Sequence, residues 1–185
     1  FDYGIKRNII NCLVAEGCRV TVVPATTSAD EARALNPDGF FLSNGPGDPR
    51  PLDYAIDTAR QLVERANRPI FGICLGHEIL GLALGAEIYK LKFGHRGANQ
   101  PIREHSTGRI LITSENHGWG IRDDSLPDCL EVTRKNLNDG CVEGMRHRDL
   151  PVFSIQCHPE ASPGPHDSFH LFGTFADMMS QHRAA

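Results

Sequence analysis

The sequence lacks the spaced glycines of a dinucleotide fold, the Gly-x-x-x-x-Gly-Lys of a phosphate loop, and any CxxC pair. These absences leave little support for a nucleotide site of either kind or for a structural zinc site. The longest apolar runs, Pro69–Leu75 and Ile79–Leu84, fall well short of the roughly 18 residues a membrane span needs, and no charged segment precedes an apolar one at the start. Neither a membrane nor a targeting signal is expected. A basic excess is missing too: 19 Lys plus Arg stand against 23 Asp plus Glu, a formal net charge of −4. No cluster of cations interleaves with aromatics, so nucleic acid is not an expected partner. The 6 cysteines, at positions 12, 18, 74, 129, 141 and 157, are scattered through a chain long enough to fold without staples. They read as thiols of a reducing, cytoplasmic compartment.

What is present fits one globular domain over residues 1–185, with 40% hydrophobic and 23% charged residues. Apolar β-rich runs alternate with helical periodicity, the pattern of an α/β fold with a mainly parallel sheet and helices on both faces. Strands are expected at Cys18–Val23, Gly39–Leu42, Pro69–Ile73 and Pro151–Gln156. Helices are expected at Arg7–Glu16, Asp30–Leu35, Arg50–Ala66, Leu75–Leu84 and Ser168–Gln181. Short β-like runs between Ile88 and Val142, among them Arg109–Thr113 and Leu130–Arg134, suggest a small antiparallel insertion or extension. Phe1-Asp2-Tyr3-Gly4 reads as the tail of a strand already under way, so the chain is expected to start inside a longer protein.

Chemistry concentrates in three segments. In Phe71-Gly72-Ile73-Cys74-Leu75-Gly76-His77 an apolar strand meets a helix, with glycines on both sides of a cysteine. A nucleophile on such a sharp turn sits in strained backbone, and flanking glycines keep side chains from colliding there. The thiol would project at a helix N-terminus, whose dipole lowers a thiol pKa and accepts developing negative charge. A buried core thiol with glycines for close packing is the other reading of the same residues. In Gln156-Cys157-His158-Pro159-Glu160, which follows an apolar strand, His158 and Glu160 are two apart and share a face. Alone this is also the pattern of a surface hydrogen-bond pair. Beside the elbow it reads as a base, His158, oriented by a carboxylate, Glu160, in the chain order Cys, His, Glu. The turn Ser43-Asn44-Gly45-Pro46-Gly47-Asp48-Pro49 places backbone N–H groups at the same sheet edge. Such a turn can join the N–H of Leu75 in an oxyanion hole or be a plain tight turn.

Gly72-Ile73-Cys74-Leu75-Gly76-His77, the Ser43–Pro49 turn and His158-Pro159-Glu160 together resemble the class I (triad) glutamine amidotransferases. Within that family, Lys92–Pro101, Asn116-His117-Gly118-Trp119 and His158–Asp167 are similar to the glutaminase (small) subunits of carbamoyl phosphate synthetases, and the resemblance covers nearly the whole chain. It implies a flavodoxin-like amidotransferase fold with a small antiparallel extension. It implies glutamine as substrate, Cys74 as nucleophile, His158 as general base and then acid, and Glu160 as its orienting partner. Oxyanion donors would be the N–H groups of Leu75 and of the Gly45–Gly47 loop. Substrate would be held by Gly47, Leu75, residue 78, Asn116, Gly118 and Trp119. Ammonia would pass to a large synthetase subunit or domain, for carbamoyl phosphate used in pyrimidine and arginine synthesis. ATP and metal are expected only on that partner, with no cofactor or metal in this domain.

Three departures from the family stand out. Residue 78 is Glu78 where Gln is usual, Trp119 replaces Phe, and the family's separate N-terminal domain is absent from the chain. Glu78 is the one feature favouring a non-catalytic or weakly active remnant that stabilises a synthetase. A cysteine peptidase or other acyl hydrolase is the remaining rival, against which the Asn116 segment speaks. His166 and His170 are four apart but not expected to bind metal. His77 should pack, Trp119 should fill core or line the pocket, and Cys157 should face away from His158.

Overall fold

The computed structural model describes residues 1–65 and 67–184. In chain order the elements are α1 (Arg7–Ala15), α2 (Ala29–Ala34), β1 (Phe40–Leu42), α3 (Asp53–Arg65), β2 (Ile70–Ile73), α4 (Leu75–Ala83), β3 (Ile88–Glu104), β4 (Ile110–Ile121), β5 (Leu130–Asn136), β6 (Val142–His147), β7 (Val152–Ile155) and α5 (Leu171–Ala184). Five expected helices are found within a few residues. α2 starts where Ser28 and Glu31 form a capping box, the Ser28 hydroxyl accepting from the Glu31 N–H and the Glu31 carboxylate accepting from the Ser28 N–H. α3 begins after Pro51 rather than at Arg50, and Ala66, the expected end of that helix, lies outside the described residues.

The strands run in the order β1-β2-β7-β6-β4-β3-β5, with β5 also pairing β6. Among the described residues, parallel pairing is confined to β1 with β2 and β2 with β7, while β7 pairs antiparallel with β6 on its other side. β6, β4, β3 and β5 pair antiparallel and return on themselves as a small barrel. The expectation of a mainly parallel sheet with a small antiparallel extension is therefore corrected, since four of the seven strands belong to the antiparallel part. The cause lies in β3, which spans 17 residues and stays paired with β4 through register shifts at Lys90/His95 and Gly97/Gln100. Gly94 and Gly97, at φ 71° and 124°, supply those irregularities and hide the strand's alternation. Cys18–Val23 is not a strand either. It lies extended beside Asp2, whose N–H donates to the Val23 carbonyl at 2.9 Å, but only one bridge, Asp2 to Pro24, forms.

The parallel strands are buried on both faces. Ile70 packs with α3 and α4 through Ala59, Leu62 and Ile79, while Phe71 and Ile73 pack with α1 and α5 through Ile9, Phe172 and Phe175. Phe71 stacks on Phe153 with ring centroids 4.3 Å apart. Helices therefore cover both faces of this part, as expected.

The junction of β2 and α4 is the tightest point of the fold. A Cβ on Gly76 would lie 2.1 Å from the Leu42 carbonyl oxygen, and one on Gly72 would lie 2.7 Å from the Gly76 carbonyl oxygen. Both obstacles are backbone, so α4 can dock on β1 and β2 only where these side chains are hydrogen. Gly76→Ala should destabilise the chain by about 1–3 kcal/mol, as overpacking does. Gly173→Ala in α5, where a Cβ meets only the flexible Glu16 carboxylate at 3.3 Å, should be neutral or stabilising by up to about 1 kcal/mol. Urea denaturation of both variants measures the contrast.

Candidate active site

Cys74 lies between β2 and α4, at the carboxyl end of the central parallel strand, where open α/β sheets carry their sites. Its backbone has φ 53° and ψ −106°, a left-handed conformation that costs energy for any residue other than glycine. The strain is held by neighbours: the Cys74 N–H donates to the Ile155 carbonyl at 2.9 Å, and the Gly76 N–H to the Ser43 carbonyl at 3.1 Å. Those bonds join the elbow to the strands on either side, β7 and β1.

The loops that follow β1 and β7 flank the thiol. Gly45 approaches Leu75 closely, since a Cβ on it would lie 2.6 Å from Leu75 Cδ2 and 2.2 Å from the Tyr3 carbonyl oxygen. Gly47 has open space around it but φ 102°, so it answers a conformational need. On the other side, the His158 N–H donates to the Ser114 carbonyl of β4 at 2.8 Å. His158 Nδ1 lies 2.7 Å from Glu160 Oε1, with both side chains buried. Burial raises the Glu160 carboxyl, but the hydrogen bond and charge of His158 and the charge of Lys6 outweigh it and hold the carboxyl below its usual value. An ionised carboxylate only accepts, so Nδ1 donates to it and Nε2 is the ring nitrogen left free of Glu160. The pairing expected from the sequence is thus present and buried, not a surface contact.

Two residues that the sequence did not single out complete this corner. Lys6 Nζ sits 3.3 Å from Glu160 Oε1, and Asn8 Nδ2 donates to the Glu160 carbonyl at 2.5 Å. Lys6 is in turn placed by its N–H, which donates to Asn44 Oδ1 at 3.0 Å, so α1's entry is tied to the glycine loop. Both lie in a segment with no motif, so no local pattern marks them.

The expectation of a depressed thiol pKa is overturned. Cys74 is buried, which pushes its thiol up; Glu78, wherever it is ionised, and Glu160 push the same way, and the Leu75 N–H and Lys6 only partly oppose them. A helix N-terminus lowers a pKa where solvent still reaches the sulfur, and here burial wins. Cys74 is therefore a neutral thiol at rest. Glu78, one turn along α4, is buried and accepts from Gln156 Nε2 at 3.2 Å. Burial raises its carboxyl to about 8, with the nearby His117 and the Gln156 bond opposing. Near neutral pH it is thus a carboxylic acid that can donate as well as accept, which narrows its difference from the amide usual in the family.

β4 carries the rest of the expected set. Asn116 is exposed, while Gly118 and Trp119 are half-buried. The Arg50 guanidinium lies 4.2 Å from the Trp119 ring and is gripped by Asp48, with Nη2 2.7 Å from Oδ2. Trp119 thereby bridges β4 to the loop after β1 and is not core filling. His77 packs as expected: its Nδ1 is 2.8 Å from Ser154 Oγ, and burial lowers it to about 3. Cys157 donates to Ser168 Oγ at 3.8 Å. His166 and His170 precede α5 in a turn, where His170 Nδ1 donates to the Asp167 carbonyl at 3.1 Å.

Comparison with known proteins agrees with this arrangement. A model of the family Glutamine amidotransferase class-I matches residues 1–178. The chain is 62% identical over 182 residues to the carbamoyl phosphate synthase small chain of Chlorobaculum tepidum, covering 98% of this chain and 50% of that one. It is 57% identical over 183 residues to the small chain of Syntrophotalea carbinolica, covering 99% and 48%. The chain thus spans about half the length of these curated relatives. A solved structure from Thermoplasma acidophilum, described as that of a candidate GMP synthase component, matches with a TM-score of 0.85 over 99% of this chain and 93% of that one. At 23% identity this speaks for the fold alone.

The raised Glu78 carboxyl has a consequence for stability. Its folded value of about 8 exceeds an unfolded value of about 4.3, so between them the folded chain holds a proton that the unfolded chain has lost. Stability from this group is full below about pH 4.3, falls by up to about 1.4 kcal/mol per pH unit across that window, and levels off above pH 8. Glu78→Gln should therefore raise the melting temperature by an amount that grows from pH 5 to 8 and then stays constant. Thermal unfolding of both forms across that range checks it.

Proposed function

This chain belongs to the class I glutamine amidotransferases, and we propose that it is the glutaminase part of a carbamoyl phosphate synthase, releasing ammonia from glutamine for a larger synthetase partner. The buried His158–Glu160 pair beside a strained Cys74 is the observation that carries the reading. In this proposal His158 Nε2 takes the Cys74 proton as sulfur attacks the side-chain amide carbon of glutamine. A neutral resting thiol makes that transfer concerted with attack rather than prior to it. The tetrahedral oxyanion is received by the Leu75 N–H and by N–H groups of the Gly45–Gly47 loop. His158 then gives its proton to the leaving nitrogen, and ammonia departs. Water, activated by the same imidazole, hydrolyses the thioester to glutamate and restores Cys74. Glu160 holds the tautomer and offsets the imidazolium, and Lys6 and Asn8 keep Glu160 in place.

Gly47, Glu78, Asn116, Gly118 and Trp119 are proposed to hold the substrate. The hydrolysis needs no cofactor, and ATP would act on the synthetase partner. The parallel β1–β2–β7 part, with helices on both faces, supports a flavodoxin-like ancestry for this half. Among the described residues no helix is long and apolar enough to cross a membrane. All six cysteines are unpaired, which supports a cytoplasmic setting. A donor-competent Glu78 at neutral pH removes the main support for a non-catalytic remnant.

In the complete enzyme, Cys74→Ala should abolish glutamine-dependent carbamoyl phosphate formation and leave the ammonia-dependent reaction intact, since added ammonia bypasses only this site. Loss of both would count against the assignment. A glutamine-like electrophile should label Cys74 alone of the six thiols, as read by peptide mapping. Above pH 8 an ionised Glu78 loses its donor and adds negative charge beside the thiol, so the advantage of Glu78→Gln in kcat/KM should grow from near none at pH 6 to roughly ten- to a hundredfold at pH 9. A ratio that does not change with pH would show that Glu78 does not act through its charge.

A further inference from the structure

Outside the Cys74 corner, four buried side chains from three strands of the barrel converge: His95 on β3, Glu115 and His117 on β4, and Glu143 on β6. Glu115 and His117 are two apart on one strand and so share a face, and His95 is the ladder partner of His117. One donor atom from each residue lies within 4.8 Å of all the others. His95 Nδ1 is 2.9 Å from Glu115 Oε2 and 3.3 Å from Glu143 Oε1, and His117 Nε2 is 3.2 Å and 4.0 Å from the same two oxygens. Four donors placed about 2.0–2.2 Å from one tetrahedral zinc ion stand roughly 3.3–3.6 Å from each other, and these separations straddle that value.

The outer contacts of the cluster turn lone pairs inward. His117 Nδ1 is 2.7 Å from the Trp119 carbonyl oxygen, which only accepts, so Nδ1 carries a proton and Nε2 faces the cluster. His95 Nε2 is 2.8 Å from Asp139 Oδ2 and donates to it in the same way, leaving Nδ1 inward. Asn136 Nδ2, at 3.4 Å from that Nδ1, is a weak donor that competes for the same lone pair. Thr113 Oγ1 donates to the other Glu115 oxygen at 2.9 Å. Glu143 is fully buried, and among the described residues the one donor near its oxygens is His95 Nδ1, 3.3 Å from Oε1 and outside good hydrogen-bond geometry. A ring nitrogen tied outward to a carboxylate or carbonyl is the usual outer shell of a metal-binding histidine. With neutral imidazoles the four groups carry a charge of −2, the complement of one divalent cation.

We propose that His95, Glu115, His117 and Glu143 bind one divalent transition-metal ion of the zinc class, as a closed structural site that pins β3, β4 and β6 together. Two imidazoles among only four ligands argue against calcium or magnesium, which seek more oxygens. All four protein ligands being present leaves no open position for chemistry. The site also fixes Asn116, which lies between two of the ligands, and through Trp119 the strand that faces the loop after β1. The cluster stands independently of the glutaminase reading. The competing state is metal-free, with protons in place of the ion: the Glu115 and Glu143 carboxylates then hold His95 up to about 11 as an imidazolium.

The test uses the intact protein stripped with a chelator and titrated with zinc against a chromophoric competitor. One zinc per chain is expected, with a melting temperature that rises with zinc concentration. Glu143→Gln should abolish tight binding. Asp139→Asn, on a more exposed outer residue whose loss does not threaten folding, should weaken binding about 10–100-fold. Cys74→Ala should leave the stoichiometry unchanged, which separates this site from the candidate active site. Zinc that disappears with Cys74→Ala, binding equal in wild type and Glu143→Gln, or a His95 imidazolium seen by nitrogen NMR in the zinc-exposed protein would overturn the proposal.

Discussion

The structure turns on the contact between the backbone of Gly76 and the carbonyl of Leu42, where α4 meets β1 with no side chain between them. That approach leaves Cys74 no ordinary conformation, because β2 must end and α4 must begin within one residue. Strain at one residue is bearable since three strands hold the turn from both sides, by bonds from Cys74 to Ile155 and from Gly76 to Ser43. The same closeness brings the loops after β1 and β7 to either side of the thiol. Close packing and site assembly are here one event, in which a methyl group at either glycine would undo both.

Around that turn the electrostatics follow from water being excluded. A buried thiol, a buried imidazole with its carboxylate, and a buried Glu78 cannot all bear charge without compensation, and only Glu160 has it, from His158 and Lys6. Charge is consequently kept on the orienting carboxylate, while the sulfur and Glu78 stay protonated near neutrality. Such a resting state holds its reactivity back until a substrate arrives to accept the electrons of the sulfur.

What could be read in the residues was what short-range sterics encode. Glycines at 72 and 76 around Cys74, the apolar run of β2, and the close pairing of His158 with Glu160 all state local requirements, and the structure meets them, although that pair sits in the turn after β7 and not on a strand face. Long-range pairing was not legible. The run Cys18–Val23 has the composition of a strand but no ladder partner, while β3 has partners but a sequence broken by Gly94 and Gly97. Helix-end electrostatics misled for Cys74, because a dipole argument takes no account of burial that only the fold reveals. Lys6 and the cluster of His95, Glu115, His117 and Glu143 escaped for a related reason: apart from Glu115 and His117, two apart on β4, their meaning is in contacts across tens of residues.

The ring of Trp119 under the Arg50 guanidinium has an optical consequence. This is the chain's only tryptophan, and a cation at 4.2 Å from its ring, held by Asp48 of the glycine-rich loop, perturbs its excited state. Any shift of that loop relative to β4 changes the distance and so the emission. The protein therefore carries a native fluorophore positioned to register movement between the two halves of its sheet, with no label attached.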